Sequence, residues 1–184
     1  MKTVNGSRVK IGMVVAFEND GSFVGNRIVA YQEWLGFKPP ASNITHVAIS
    51  MGGDYLVDAT FPKSKVSRIS QDYQGRKAEY LYLRDDSFRD RLRYKFTLWG
   101  ATQINLDYGW MALLGFYINA IIPILGDNIL HSKRDPFCSY LVAWAFRRVG
   151  YDLWPGTASE LVTPAHIRAN KDLEVIDVSI PGCL

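Results

Sequence analysis

Residues 135–150 (Asp-Pro-Phe-Cys-Ser-Tyr-Leu-Val-Ala-Trp-Ala-Phe-Arg-Arg-Val-Gly) constrain the fold more than any other stretch. Their spacing predicts a short helix with a marked start and stop. Asp135 suits the cap, Pro136 the first helical position, and Gly150 a left-handed stop. Arg147 and Arg148 fall in the last turn, where positive charge complements the helix dipole. Phe137, Leu141, Trp144 and Ala145 line one face, and Val142, Phe146 and Val149 widen it. A helix apolar over so much of its circumference must be covered by the rest of the chain. Its first turn nevertheless carries Cys138, where unpaired backbone N–H groups and the helix dipole favour a thiolate. Two readings of Cys138 follow: a small buried hydrophobe, or a nucleophile.

Residues 44–60 hold the partners that a nucleophile would need. Two β-rich runs flank Gly52-Gly53-Asp54, which is a hairpin signal. Register decides whether His46 and Asp58 meet, because a slip of one residue turns a side chain to the other face. A two-residue Gly52-Gly53 turn would set Asp58 opposite Val47 and keep the two apart. A three-residue loop over 52–54 pairs Ala48 with Asp58 and brings His46 diagonally beside the carboxylate. Of the three histidines, His46, His131 and His166, only His46 has a carboxylate at such a spacing; the other two are read as solvent-facing or structural. Ala48 and Ser50 alternate with His46, and their small side chains are expected to leave a groove beside the imidazole.

The remaining pattern is α+β. Strands are expected over residues 9–17, 66–69, 78–83 and 173–178, and apolar residues at helical spacing over 27–35, stopped by Gly36. Residues 86–103 read as a charged amphipathic helix with Leu92, Phe96 and Trp99 inward, and Thr163-Pro164 opens a short late helix. A length of 184 residues with no long linker or repeat points to a single domain spanning 1–184. The net charge is only +3, and in the densest basic cluster (Arg84, Arg89, Arg91, Arg93, Lys95) three aspartates interleave. That pattern describes a solvated helix face and argues against a nucleic-acid partner. Two distant cysteines, Cys138 and Cys183, make no disulfide framework, and no metal-ligand spacing or cofactor motif is present. Residues 1–8 carry no signal-peptide pattern, so a cytoplasmic location is expected. Residues 110–125 are almost uniformly apolar, yet shorter than the ~20 residues of a spanning helix and interrupted by Asn119 and Pro123. An apolar helical insertion around 110–130 is expected, buried or partly interfacial, with membrane contact through 110–125 as the lesser option.

Taken in chain order, these segments resemble the circularly permuted papain-like hydrolases. The group comprises permuted NlpC/P60 proteins of the YiiX type and, more distantly, lecithin:retinol acyltransferase-like proteins. In that group the histidine strand comes first and the cysteine helix late. Thr45-His46-Val47-Ala48-Ile49-Ser50-Met51-Gly52 resembles the histidine strand and its glycine turn, and Val57-Asp58-Ala59 the segment with the third polar group. Phe137-Cys138-Ser139-Tyr140-Leu141-Val142 is similar to the nucleophile motif, and Lys10-Ile11-Gly12-Met13-Val14 to the opening strand. Leu106-Asp107-Tyr108-Gly109 and Thr163-Pro164-Ala165 resemble two further family segments. The sequence departs from the pattern at Met13, where aspartate is frequent, and at Asp58, where glutamate or histidine is usual.

The resemblance implies an antiparallel sheet with the nucleophile helix packed against it, and a Cys138–His46–Asp58 triad. The leading expectation is a cysteine peptidase or amidase that cleaves a small or cell-wall-type peptide through a Cys138 acyl-enzyme, with His46 as base and Asp58 orienting the imidazole. A lipid-directed acyltransferase or thioesterase is the second reading. A third is an inactive hydrolase fold that serves as a binding module, which Asp58 facing away from His46 would favour.

Overall fold

A computed structural model describes residues 9–107 and 137–176. Its elements run β1 (Val14–Glu18), α1 (Phe23–Trp34), β2 (Ile44–Gly52), β3 (Tyr55–Ala59), β4 (Ser64–Arg68), α2 (Ile69–Asp72), β5 (Ala78–Leu83), α3 (Asp86–Thr102), α4 (Cys138–Arg148), α5 (Pro164–Ala169) and β6 (Leu173–Ile176). The six strands form one antiparallel sheet in the order β4-β3-β2-β1-β5-β6. This is the α+β architecture expected from the pattern.

Strand β1 lies at the middle of the sheet and is buried on both faces. Val14 and Ala16 join a core with Val47 and Ile49 of β2 and Leu81 and Leu83 of β5, covered by Leu92 and Phe96 of α3, Val142 and Phe146 of α4, and Ile167 of α5. Val15 and Phe17 point the other way, into a smaller core with Ala48, Leu56, Tyr80, Ile69 and Tyr73. The strand begins at Val14 and not at residue 9. Gly12 turns the chain there with φ +82°, a conformation that a side chain would strain, and Phe96 Cδ2 lies 2.9 Å from where its Cβ would be.

The hairpin has the register that joins His46 and Asp58 on one face. Ile49 faces Val57 and Ser50 faces Leu56, with an irregularity before the Gly52–Tyr55 pair. The extra residue is thus absorbed as a bulge in β2, with Gly52 and Gly53 both at positive φ. Strand β4 begins at Ser64, two residues before the expected 66, because Ser64 and Lys65 pair with Ala59 and Asp58, and it ends at Arg68 because Ile69 is drawn into α2 and the buried core.

Helix α1 differs most from expectation. It starts at Phe23, capped by Ser22 Oγ accepting from Gly25 N–H at 3.1 Å, and Gly36 at φ +91° follows it. The apolar spacing through Ile28, Tyr31 and Leu35 does not mark its buried face. Gly25 and Gln32 face inward, while Phe23, Val24, Trp34 and Leu35 are exposed. Hydrogen bonds anchor the helix in place of apolar burial. Gln32 Nε2 donates to the carbonyls of Ser42 (2.8 Å) and Ile44 (2.9 Å), and its Oε1 accepts from Ala165 N–H (2.7 Å). Gln32→Leu keeps the volume but strands three buried backbone groups, so a loss of roughly 2–4 kcal/mol is expected. Calorimetry checks it; a loss below about 1 kcal/mol would contradict the anchoring role.

Helix α3 spans Asp86–Thr102 with Asp85 as cap, and Leu92 and Phe96 are buried as the pattern predicts. Helix α4 is buried along nearly its whole length, and Gly150 stops it at φ +94°. Phe137 is the residue at its N-cap and offers no side-chain bond, so Cys138 is the first helical residue. The helix thus starts later than the Asp135 cap and Pro136 first position expected, because Phe137 is still extended, and those two residues themselves lie outside the described residues. So do Tyr108, the apolar stretch 110–130, His131, Cys183 and residues 177–178. Among the described residues, no helix is long and apolar enough to cross a membrane.

Candidate active site

Three elements meet at His46. It faces Phe17 across the β2–β1 ladder, and its Nε2 lies 2.8 Å from Asp58 Oδ1 on β3. Asp58 has no solvent exposure. Its Oδ2 accepts from Ser67 Oγ at 2.9 Å and from the Tyr73 hydroxyl, so every partner it needs as a carboxylate is present. The Tyr73 oxygen also lies 2.9 Å from His46 Nε2. Since the tyrosine proton is committed to Asp58, that oxygen can only accept from the imidazole. Nε2 is therefore assigned as the protonated nitrogen, which by elimination leaves Nδ1 for the hydrogen bond with Cys138 at the first position of α4.

Aromatic packing holds this cluster. Tyr73 stacks on Phe17 with ring centroids 4.0 Å apart and lies nearly parallel to His46 at 5.7 Å. The Arg76 guanidinium covers Phe17 and Tyr73 and donates to Glu18 C=O at 2.8 Å. Burial opposes the charged imidazole, but the Asp58 carboxylate, the Cys138 sulfur and hydrogen bonds to both outweigh it, and His46 is pushed up to about 10. Burial likewise opposes ionisation of Asp58, yet His46, Tyr73 and Ser67 together hold it below the usual carboxylate range. Desolvation, with the charge of Asp58 and its hydrogen bond, keeps Tyr73 protonated far above its ordinary range. The surroundings thus favour the charged form of the imidazole, set between a buried carboxylate and a sulfur.

Cys138 is buried and lines a cleft of about 690 Å³. Helix α1 lines the cleft with Phe23, Val24, Ile28 and Tyr31, and Lys65, Asp72 and Arg76 line it as well. Lys65 pairs with Asp72 at 3.0 Å. The groove does not run over Ala48 and Ser50, as their small size suggests. Both are fully covered, Ala48 within the smaller core, and the β2 residues that line the cleft are Thr45 and His46.

The other candidates resolve into structural roles. Ser139 is buried and donates to Val162 C=O at 2.6 Å, which occupies its hydroxyl in holding the α4 start. His166 forms a capping box with Thr163 at the start of α5, and burial holds its imidazole below the ordinary value. Among the described residues, no group of three or more His, Cys, Asp or Glu could hold a metal ion.

Ser67 and Tyr73 are absent from the sequence reading. Ser67 faces Leu56 in the β3–β4 ladder and so shares the face of Asp58, a relation visible only once β4 is paired. Tyr73 lies in the turn after α2, where no periodicity marks it. Compared with protein-family models and with curated proteins, the chain matches none.

Proposed function

We propose that the protein is a cysteine hydrolase with a permuted papain-like (NlpC/P60) fold, cleaving an amide through a Cys138 acyl-enzyme. The observation that carries this reading is the position of His46, hydrogen-bonded through Nε2 to a buried carboxylate and coupled to a sulfur at a helix start. That arrangement favours a thiolate–imidazolium pair, the reactive form of a cysteine nucleophile. The order of elements supports the fold reading, since the histidine strand β2 precedes the cysteine helix α4.

Cys138 Sγ attacks the substrate carbonyl carbon and forms an S–C bond, while charge develops on the carbonyl oxygen. The first intrahelical bond runs from Leu141 N–H to Phe137 C=O, so the amides before it, that of Cys138 among them, are the natural oxyanion donors. Collapse breaks the C–N bond, and His46 gives its Nδ1 proton to the departing amine. In the second half a water attacks the thioester, His46 takes its proton, and the C–S bond breaks to release the acid and restore the thiolate.

A peptide or cell-wall-type peptide is the preferred substrate. The second reading, a lipid-directed acyltransferase or thioesterase, draws on α1: Phe23 and Val24 line the cleft and are 67% and 58% exposed, and Trp34 extends the apolar stripe. The test common to both is incubation with p-nitrophenyl acetate followed by intact-protein and peptide mass spectrometry. An acetyl adduct on the Cys138 peptide, absent in Cys138→Ala, is the expected result. Release of p-nitrophenol at equal rates by both proteins, with no adduct, would overturn the proposal.

A further inference from the structure

We propose that the Tyr73 hydroxyl is a positioning residue that sets the acid strength of His46 by drawing charge off the Asp58 carboxylate. The inference rests on the hydrolase reading for its catalytic consequence, but its electrostatic part stands on the geometry alone.

Asp58 is bound by three groups. Oδ1 takes the imidazole, and Oδ2 takes the hydroxyls of Ser67 and Tyr73. Each donor to Oδ2 disperses negative charge away from the imidazole. This matters because His46 has two demands on it. It must stay positive beside the Cys138 sulfur, yet it must surrender a proton when the leaving group departs. A buried carboxylate with a single partner would grip the imidazolium too strongly for the second task. Tyr73 is suited to moderate that grip, since its ring is fixed against Phe17 and its hydroxyl donates to Asp58 Oδ2. Its neutral oxygen also accepts from Nε2, but that contact is weaker than the charge-assisted bond to the carboxylate, so the donation sets the sign. Among the described residues, the charged and titratable groups around this centre are Asp58 from β3, Lys65 opposite it in the β3–β4 ladder and paired with Asp72 of α2, Cys138 from α4, and Arg76 beyond Tyr73; β1 contributes the Phe17 ring.

The chemistry at issue is the collapse of the tetrahedral intermediate. The C–N or C–O bond breaks, the leaving atom keeps the electron pair, and the proton on His46 Nδ1 moves to it. An amine or anilide needs that proton before it can leave, whereas p-nitrophenolate does not. Loss of the Tyr73 hydroxyl therefore weakens the acid and harms basic leaving groups selectively.

The test is Tyr73→Phe, which keeps the ring on Phe17 and deletes only the hydroxyl. Two readings are taken: the rate of Cys138 acylation by a p-nitrophenyl ester and by an anilide of the same acyl group, and the pH profile of Cys138 alkylation by iodoacetamide. In the variant the upper limb of the alkylation profile moves to higher pH. Acylation by the anilide falls by about ten-fold or more, while the ester rate changes by less than about three-fold. Equal losses on both substrates with an unmoved upper limb would mean that Tyr73 merely supports the fold, and would overturn the inference. Ser67→Ala removes the other Oδ2 donor and should shift both readings the same way by a smaller amount; it decides the matter if Tyr73→Phe does not fold. A wild-type protein inert to both substrates, but with the limb displaced in the variant, would sink the hydrolase reading and leave the role of Tyr73 standing.

Discussion

Asp58→Ala is expected to abolish turnover and to lower stability by about 3–5 kcal/mol, the usual cost of removing one member of a buried ion pair. The size follows from what is left behind. The His46 side chain is 14% exposed and would lose its counter-charge, and the hydroxyls of Ser67 and Tyr73 would lose their acceptor. The loss also depends on pH in a way the shifts define. Asp58 lies below its ordinary value in the folded protein, so its contribution is present above the unfolded pKa of about 4 and fades as pH falls through the folded value. His46 is pushed up to about 10, so its contribution is complete below the unfolded value of about 6.5 and fades as pH rises through 10. The stability gap between wild type and Asp58→Ala is therefore widest between about pH 4 and 6.5 and narrows toward 10. Urea unfolding at a series of pH values measures it. A gap that widened steadily up to pH 10 would contradict the ion pair.

His46→Ala is expected to cut the rate of Cys138 acylation by about 10²- to 10⁴-fold, the range for removing a general acid and base. The same change removes the positive charge that accompanies the sulfur. Stability should suffer less than in Asp58→Ala, because the alanine leaves Asp58 with two hydroxyl donors still in place. The two substitutions thus separate chemistry from folding: one strands a buried carboxylate that keeps two hydroxyl donors, the other leaves a buried imidazole with the Cys138 sulfur and without its carboxylate. Single-turnover acylation and thermal unfolding of both variants check this ordering.

Much of this arrangement was legible in the sequence where a single periodicity governs. Helices α3 and α4 bury the side that their spacing marks, because both pack on the sheet through ordinary apolar contacts. The hairpin was legible because the two-residue repeat and Gly52-Gly53 together leave few registers, and one of them sets His46 beside Asp58. Helix α1 was misread for a physical reason. Its buried face is Gly25 and Gln32, held by hydrogen bonds to backbone distant in sequence, so its apolar residues mark the cleft wall and the solvent side. Ser67 and Tyr73 escaped because their roles arise from strand pairing and from a turn packed on Phe17, neither of which leaves a local pattern. The lining of the cleft was misplaced for a related cause: small residues in a strand are as readily covered by a neighbouring sheet residue as left open, and Leu56 joins Ala48 in one buried core.

The proposed hydrolase requires that His46 and Cys138 form a charged, reactive pair. The most direct measurement is the rate of Cys138 alkylation by iodoacetamide from pH 5 to 10, read by peptide mass spectrometry in wild type and His46→Ala. An ordinary thiol, with a pKa of about 8.5, is roughly 0.3% thiolate at pH 6 and labels slowly there. The account predicts rapid wild-type labelling at pH 6, reduced by about a hundred-fold in His46→Ala. Labelling that is slow at pH 6 in both proteins and rises together above pH 8 would contradict it.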